Sequence, residues 1–176
     1  MVSISAAALV AGFTCVGFSG SRAPAVASLA ALAGLVSAVA PGAAVVVGCA
    51  PGIDHAARVA FPGARVFQAS AFGSGRGSFA ARSVACVRAV SASGGLWVSF
   101  PGSPCPAGLR PSGRSSVAFS GLGSGSWASL AFALGSGVPC LVFLPAGVPA
   151  PAGWGLVSLG GGWFHAAPAI VQPSLF

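Results

Sequence analysis

The run Ala44-Val45-Val46-Val47-Gly48 has no polar side chain at any position, and it leads through Cys49-Ala50-Pro51-Gly52 into a small-residue stretch starting at Ile53. A strand apolar on both parities has to be covered on both faces, as strands of parallel sheets are. The rest of the chain supplies the cover by alternation. Phe13–Phe18 reads as a strand, and Pro24–Val39 as a helix with Val26, Leu29, Leu32, Leu35 and Val39 on its apolar side. After the run itself come a short helix over Ile53–Val59 and a strand over Ala64–Gln68. A Gly/Ser loop over Ser70–Ser78 precedes a helix over Phe79–Val90 and a strand over Gly95–Phe100. A long loop, Pro101–Ser120, then leads to a helix ending near Gly135 and a strand over Val138–Leu144. This order predicts an α/β fold: one doubly wound, mostly parallel sheet with helices on both faces. The 176 residues suit a single domain, residues 1–176, with a core over about 13–145 and a Pro/Gly/Trp-rich tail over 146–176. Strand-like pieces recur in that tail near Trp154–Leu159 and Trp163–Ala166.

Charge narrows the chemistry as sharply as the alternation narrows the fold. Asp54 is the only acidic side chain; there is no Glu and no Lys, and all eight basic residues are Arg. Paired-carboxylate glycoside chemistry needs two acids, and a calcium loop or two-metal site needs several oxygen ligands, so these classes are excluded. Five scattered cysteines without a C-x-x-C pair, and two distant histidines, form no zinc or redox framework. They read as small apolar residues of a reducing compartment, and the expected location is cytoplasmic. No metal, cofactor or catalytic residue is assigned. With 55% apolar and 5% charged residues, hydropathy leans towards a membrane protein. The best window, Pro24–Ala40, is mostly Ala, Ser and Leu and stops at Pro41-Gly42, so it reads as a core helix and not as a span. The N-terminal stretch to Cys15 resembles a signal-peptide apolar region but lacks a basic leader, and reads as a packed leading segment and first strand. Net charge of +7 suits a phosphate-bearing or nucleic-acid partner. The low charge density also predicts self-association into a homo-oligomer.

Three glycine-bearing turns each precede a predicted helix: Gly17–Arg22, Gly48–Asp54 and Gly121–Trp127. Ligands of open α/β sheets bind at the carboxyl ends of the strands, where such turns gather. Glycine lets a ligand approach the backbone, and the free N–H groups of a helix start attract anions. Arg22 and Arg82 are the ligand candidates among the arginines. Arg58, Arg65 and Arg76 read as surface charges, and so do Arg110 and Arg114, although these two lie on the long loop and could clamp a phosphate. Asp54 stands near a helix start, where it either stabilises the helix dipole or touches ligand. His55 adjoins it, but neighbours on a helix diverge, so no dyad follows. Trp127 could stack on a base, yet its place at the start of a buried helix favours core packing.

Taken together these segments resemble the SLOG superfamily, the Rossmann-type proteins related to DprA/Smf and LOG. Gly20-Ser21-Arg22 looks like its opening G-S-R motif, and Val45–Arg58 (VVVGCAPGIDHAAR) like its strand-turn-helix element with G-I-D. Gly75–Val90, followed by Gly95–Phe100, resembles the Arg-bearing helix that leads into the central strand. Ser120–Pro145 resembles the glycine-rich S-G-[ST] turn with its helix and strand. The likeness covers Phe13 to Pro145 and implies a Rossmann-like fold that binds nucleotides, nucleotide-derived ligands or single-stranded DNA. It implies a ligand held by Gly20, Ser21, Arg22, Gly48, Gly52, Asp54, Arg82, Gly123, Ser124, Gly125 and Ser126. Pro51 stands where the DNA-processing members carry Arg. Ser83 stands where some members have Asn, and Ser129 takes the place of the LOG-type Glu, which argues against LOG-like hydrolysis. Three readings follow: a nucleotide-binding protein without catalysis, a single-stranded-DNA-binding relative of DprA, or a charge-poor structural protein that self-assembles.

Overall fold

The computed structural model describes residues 4–168. Its elements are α1 (Ala6–Ala11), β1 (Cys15–Gly20), α2 (Val26–Val36), β2 (Ala44–Gly48), α3 (Ile53–Ala60), β3 (Arg65–Phe67), α4 (Arg76–Ala92) and β4 (Leu96–Phe100). They continue with α5 (Ser115–Ala118), α6 (Gly125–Gly135), β5 (Cys140–Phe143), β6 (Val157–Gly160) and β7 (Trp163–Ala166). The strands form one mixed sheet in the order β3-β2-β1-β4-β5-β7-β6. β1 pairs in parallel with β2 and β4, and the β2–β3 and β4–β5 pairs are also parallel. β7 runs antiparallel to both β5 and β6. The chain thus builds outward from β1 to β3, crosses back to the other side of β1, and continues from β4 to β5. The point of reversal lies between β1 and β4, whose last paired residues are Gly20 and Phe100.

Side-chain parity sorts the core into two layers. Val16, Phe18, Val45, Val47, Leu96, Val98, Phe100 and Leu141 pack with Val10 of α1, Leu32 and Leu35 of α2, and Ile53 and Ala57 of α3. Cys15, Val46, Trp97, Cys140 and Val142 pack on the opposite side with Cys86, Val87 and Val90 of α4, Ala118 of α5 and Trp127 and Leu130 of α6. The all-apolar β2 run is therefore covered from above and below, as its composition requires.

Several expectations change. Residues 6–11, within the packed leading segment, form a helix: Ser5 caps it by accepting from the Ala8 N–H at 3.1 Å, and Val10 is fully buried. Residues 1–3 and 169–176, the ends of the leading segment and of the tail, lie outside the described residues. On α2 the buried side is Ser28, Leu32 and Leu35, while Val26 and Leu29 are exposed. The loop over 70–78 contains part of a 3-10 helix, Ala69–Phe72, and the first turn of α4; the long loop contains α5. The Pro/Gly/Trp-rich segment adds the β6–β7 hairpin to the sheet. Trp163 packs edge-on against Phe143 at 5.1 Å and Phe100 at 5.6 Å, and Trp154 against Trp127 at 5.4 Å. The core thus reaches beyond 13–145, to Ala6 at one end and Ala166 at the other.

Candidate functional site

The turns after β1 and β2 interlock at the carboxyl end of the sheet. The Ser21 N–H donates to the Phe100 carbonyl at 2.9 Å, and the Ile53 N–H donates to the Ser21 carbonyl at 3.1 Å. Close approach makes glycine obligatory here. A Cβ on Gly20 would lie 2.6 Å from Ile53 Cγ1, and one on Gly52 would collide with the Ser21 and Arg22 carbonyls. Gly52 also has φ of 76°, a conformation L side chains rarely adopt.

Beside this knot opens a cavity of about 700 Å³, within the size range of small-molecule sites. Gly20, Ser21, Arg22, Gly48, Asp54, Arg82, Gly123, Ser124, Gly125 and Ser126 all line it. Of the site residues expected from sequence, Gly52 alone does not. Its part in the fold is to let the β2–α3 turn pass against the β1–α2 turn.

Asp54 and Arg82 meet in the cavity wall. Asp54 is 4% exposed and Arg82 8%. Arg82 Nη1 lies 3.7 Å from Asp54 Oδ2, which accepts the Ala50 N–H at 3.2 Å. Both pack down on Gly48, where a Cβ would stand 2.6 Å from Oδ2 and 2.9 Å from Arg82 Cζ. Otherwise Nη2 donates to Ser83 Oγ at 3.3 Å and Nη1 to Cys49 Sγ at 3.5 Å, and Nε has no partner among the described residues. Burial raises the Asp54 carboxyl above the ordinary carboxylate range, outweighing the pull of Arg82, the Ala50 N–H, Arg58 and Arg22. Burial also raises the neighbouring Cys49 thiol, but the Ala69 N–H at 3.2 Å and Arg82 outweigh it, and the net shift is downward. Arg58, expected at the surface, is half-buried and donates from Nη1 to the carbonyls of Gly48 at 2.7 Å and Ala50 at 3.0 Å. It fixes the turn that presents Asp54.

Towards solvent the cavity is cationic. Arg22 is exposed and lies 5.0 Å above the ring of Phe79, itself 42% exposed, and Arg76 lines the same opening. On the far side Ser124 caps α6, accepting the Trp127 N–H at 3.4 Å, and its hydroxyl lies 2.8 Å from that of Ser126. Ser129 lines the cavity too and donates its hydroxyl to the Gly125 carbonyl at 2.8 Å. Trp127 is fully buried and donates from Nε1 to the Ser103 carbonyl at 2.7 Å, so it is a core residue and not a base platform. Neither Arg110 nor Arg114 lines the cavity; Arg110 Nη1 bonds its neighbour's carbonyl, that of Leu109, at 2.7 Å. Phe79 and Arg76 were missed from sequence, although glycines on either side of Arg76 signal a turn opening a helix.

His55 is exposed and His165 belongs to β7; neither lines the cavity. Among the described residues no group of three or more His, Cys, Asp or Glu side chains could hold a metal, and no helix is long and apolar enough to cross a membrane. The site therefore offers hydrogen-bond donors, a helix start, one acid and one exposed ring. Comparison with protein-family models, with curated proteins and with solved structures gave no match.

Proposed function

We propose that this chain is a nucleotide- or nucleotide-derivative-binding protein of the SLOG/DprA-like kind, with a Rossmann-like, doubly wound sheet, and that it binds without catalysis. One observation carries the reading: ten residues picked from three separate turns and one helix line a single cavity at the carboxyl ends of the strands. That cavity sits where the strand order reverses between β1 and β4, the place at which open α/β sheets take their ligands. The start of α6, Ser124, Ser126, Arg22 and Arg76 offer donors suited to phosphate oxygens. The non-catalytic part is supported by Ser129, which holds the place of the LOG-type acid and engages the Gly125 carbonyl.

The test is a thermal-shift titration against purine and pyrimidine nucleotides. Saturation a hundredfold above Kd should stabilise the fold by about 2.7 kcal/mol. Arg22→Ala, at an exposed position, should cut the shift without lowering the ligand-free Tm. Absence of a shift with every nucleotide overturns the reading. Single-stranded nucleic acid is the second reading, favoured by the exposed Phe79 ring beside Arg22, a pairing of aromatic and arginine that suits stacked bases.

A further inference from the structure

The cavity is lined by two kinds of charged group, free arginines and an ion pair, and the difference bears on which end of a ligand goes where. This step rests on the nucleotide-binding reading above. Among the described residues Arg22 and Arg76 have no carboxylate in the ion-pair range, and the start of α6 lines the cavity across from them. The Asp54–Arg82 pair, whose unit charges cancel, lines the cavity as well. A phosphate set against Asp54 would meet a like charge; at 4 Å and an effective dielectric of about 20, such a repulsion is about 4 kcal/mol. Arg82 offsets it, but Arg22 and Arg76 offer the same phosphate attraction without an acid paired to them.

A hydroxyl suits the pair better, because it donates to the carboxylate and accepts from the guanidinium at once. Both partners have capacity left. An ionised carboxylate accepts about four hydrogen bonds, and Oδ2 takes one from Ala50 at 3.2 Å. Arg82, more than nine-tenths buried, has no partner at Nε among the described residues and makes one contact from each Nη, to a thiol and to a hydroxyl. Gly48 lets the pair settle against the end of β2, and all three line the cavity.

From this arrangement we infer that Asp54 and Arg82 select a neutral, hydroxyl-bearing group, the ribose diol of a ribonucleotide, and that the phosphate points to Arg22, Arg76 and the start of α6. The site then discriminates ribonucleotides from analogues that lack the diol, and from bare polyphosphate.

Isothermal titration calorimetry with adenosine and guanosine 5′-monophosphates, their 2′,3′-dideoxy counterparts and inorganic pyrophosphate tests this. The ribonucleotides should bind at least about tenfold more tightly than the dideoxy forms, the worth of one hydrogen bond to a charged group. Pyrophosphate should be weaker still. In Asp54→Asn the preference for ribose should shrink to within about threefold, while pyrophosphate binds more tightly because Arg82 loses its counter-charge. Equal affinity for ribo and dideoxy forms, or pyrophosphate binding as tightly as the nucleotides, overturns the inference and leaves nucleotide binding standing. No binding of any nucleotide overturns both. The wild-type comparison decides the point alone if Asp54→Asn does not fold.

Discussion

At the scale of single residues, Asp54 is a costly group to keep charged. It is nearly buried, receives one backbone hydrogen bond and faces its guanidinium at 3.7 Å, outside hydrogen-bonding distance. Its pKa in the fold lies above the ordinary carboxylate value of 3.8, so the native state binds more protons than the unfolded chain in mild acid. The destabilising contribution is absent below the unfolded pKa and fully present above the folded one. Stability from this group therefore falls as pH rises through a window that opens near pH 4. Denaturant midpoints of the wild type and Asp54→Asn should diverge across that window, with the wild type losing ground as pH increases. The comparison also cancels His165, whose pKa burial lowers and whose contribution runs the opposite way. A wild type that gains on the variant with rising pH would contradict the burial account. Sequence alone left this acid open between helix cap and ligand contact. What was not legible is the environment: Arg82 comes from a helix 28 positions on, and no local pattern reports that its side chain turns inward. Arg58 was misread for a related reason. Its partners are backbone carbonyls of its own turn, which leave no mark in side-chain composition.

At the scale of elements, the joint between the β1–α2 and β2–α3 turns sets the shape of the cavity. Gly52 is where it is tightest, with φ of 76° and no room for a Cβ against the Ser21 and Arg22 carbonyls. Gly52→Ala combines backbone strain of about 1–3 kcal/mol with overpacking of similar size. Gly34 in α2 is the internal contrast, with open space around a Cβ and an ordinary helical backbone. Gly34→Ala should stabilise by about 0.5–1 kcal/mol, while Gly52→Ala should destabilise by roughly 2–5 kcal/mol and weaken any nucleotide-dependent shift. Equal effects in urea melts would mean that the joint yields freely. The same elements show what sequence discloses. β2 was legible to the residue because its unbroken apolar run ends in Gly48, and β4 nearly so because Gly95 and Pro101 bound a run broken only by Ser99. The β6–β7 hairpin was visible only as strand-like pieces, since Val157 and Ser158 are exposed and antiparallel edge strands lack the continuous apolar signal. The α2 face was misjudged because Ala, Ser and Leu recur all round that helix. Tertiary packing, and not its own periodicity, settled which stripe was buried.

At the scale of the whole molecule, the burial of Asp54 leaves no exposed side-chain carboxylate to oppose the eight arginines. Two copies approaching one another present positive charge on both sides. They also present apolar side chains: Val26 is 84% exposed, Val59 67% and Val157 64%. Long-range repulsion acts against association at low ionic strength, and salt screens it over about 10 Å at 0.1 M. Contact between apolar side chains is not weakened by the same salt. Self-association should therefore increase between about 0.05 and 0.5 M sodium chloride, seen as a rise in sedimentation coefficient. Binding to a single strand of nucleic acid should weaken over the same range, because each arginine that neutralises a phosphate releases counterions. The two slopes have opposite signs, so one salt series separates them in a chain for which composition alone allows both. A sedimentation coefficient that stays at the monomer value at both salts would exclude charge-controlled assembly. Salt-insensitive affinity for an oligonucleotide would exclude a phosphate-tracking surface. A small nucleotide held at the cavity by a few directed hydrogen bonds should change least, and it should bind one per chain whichever way the copies associate.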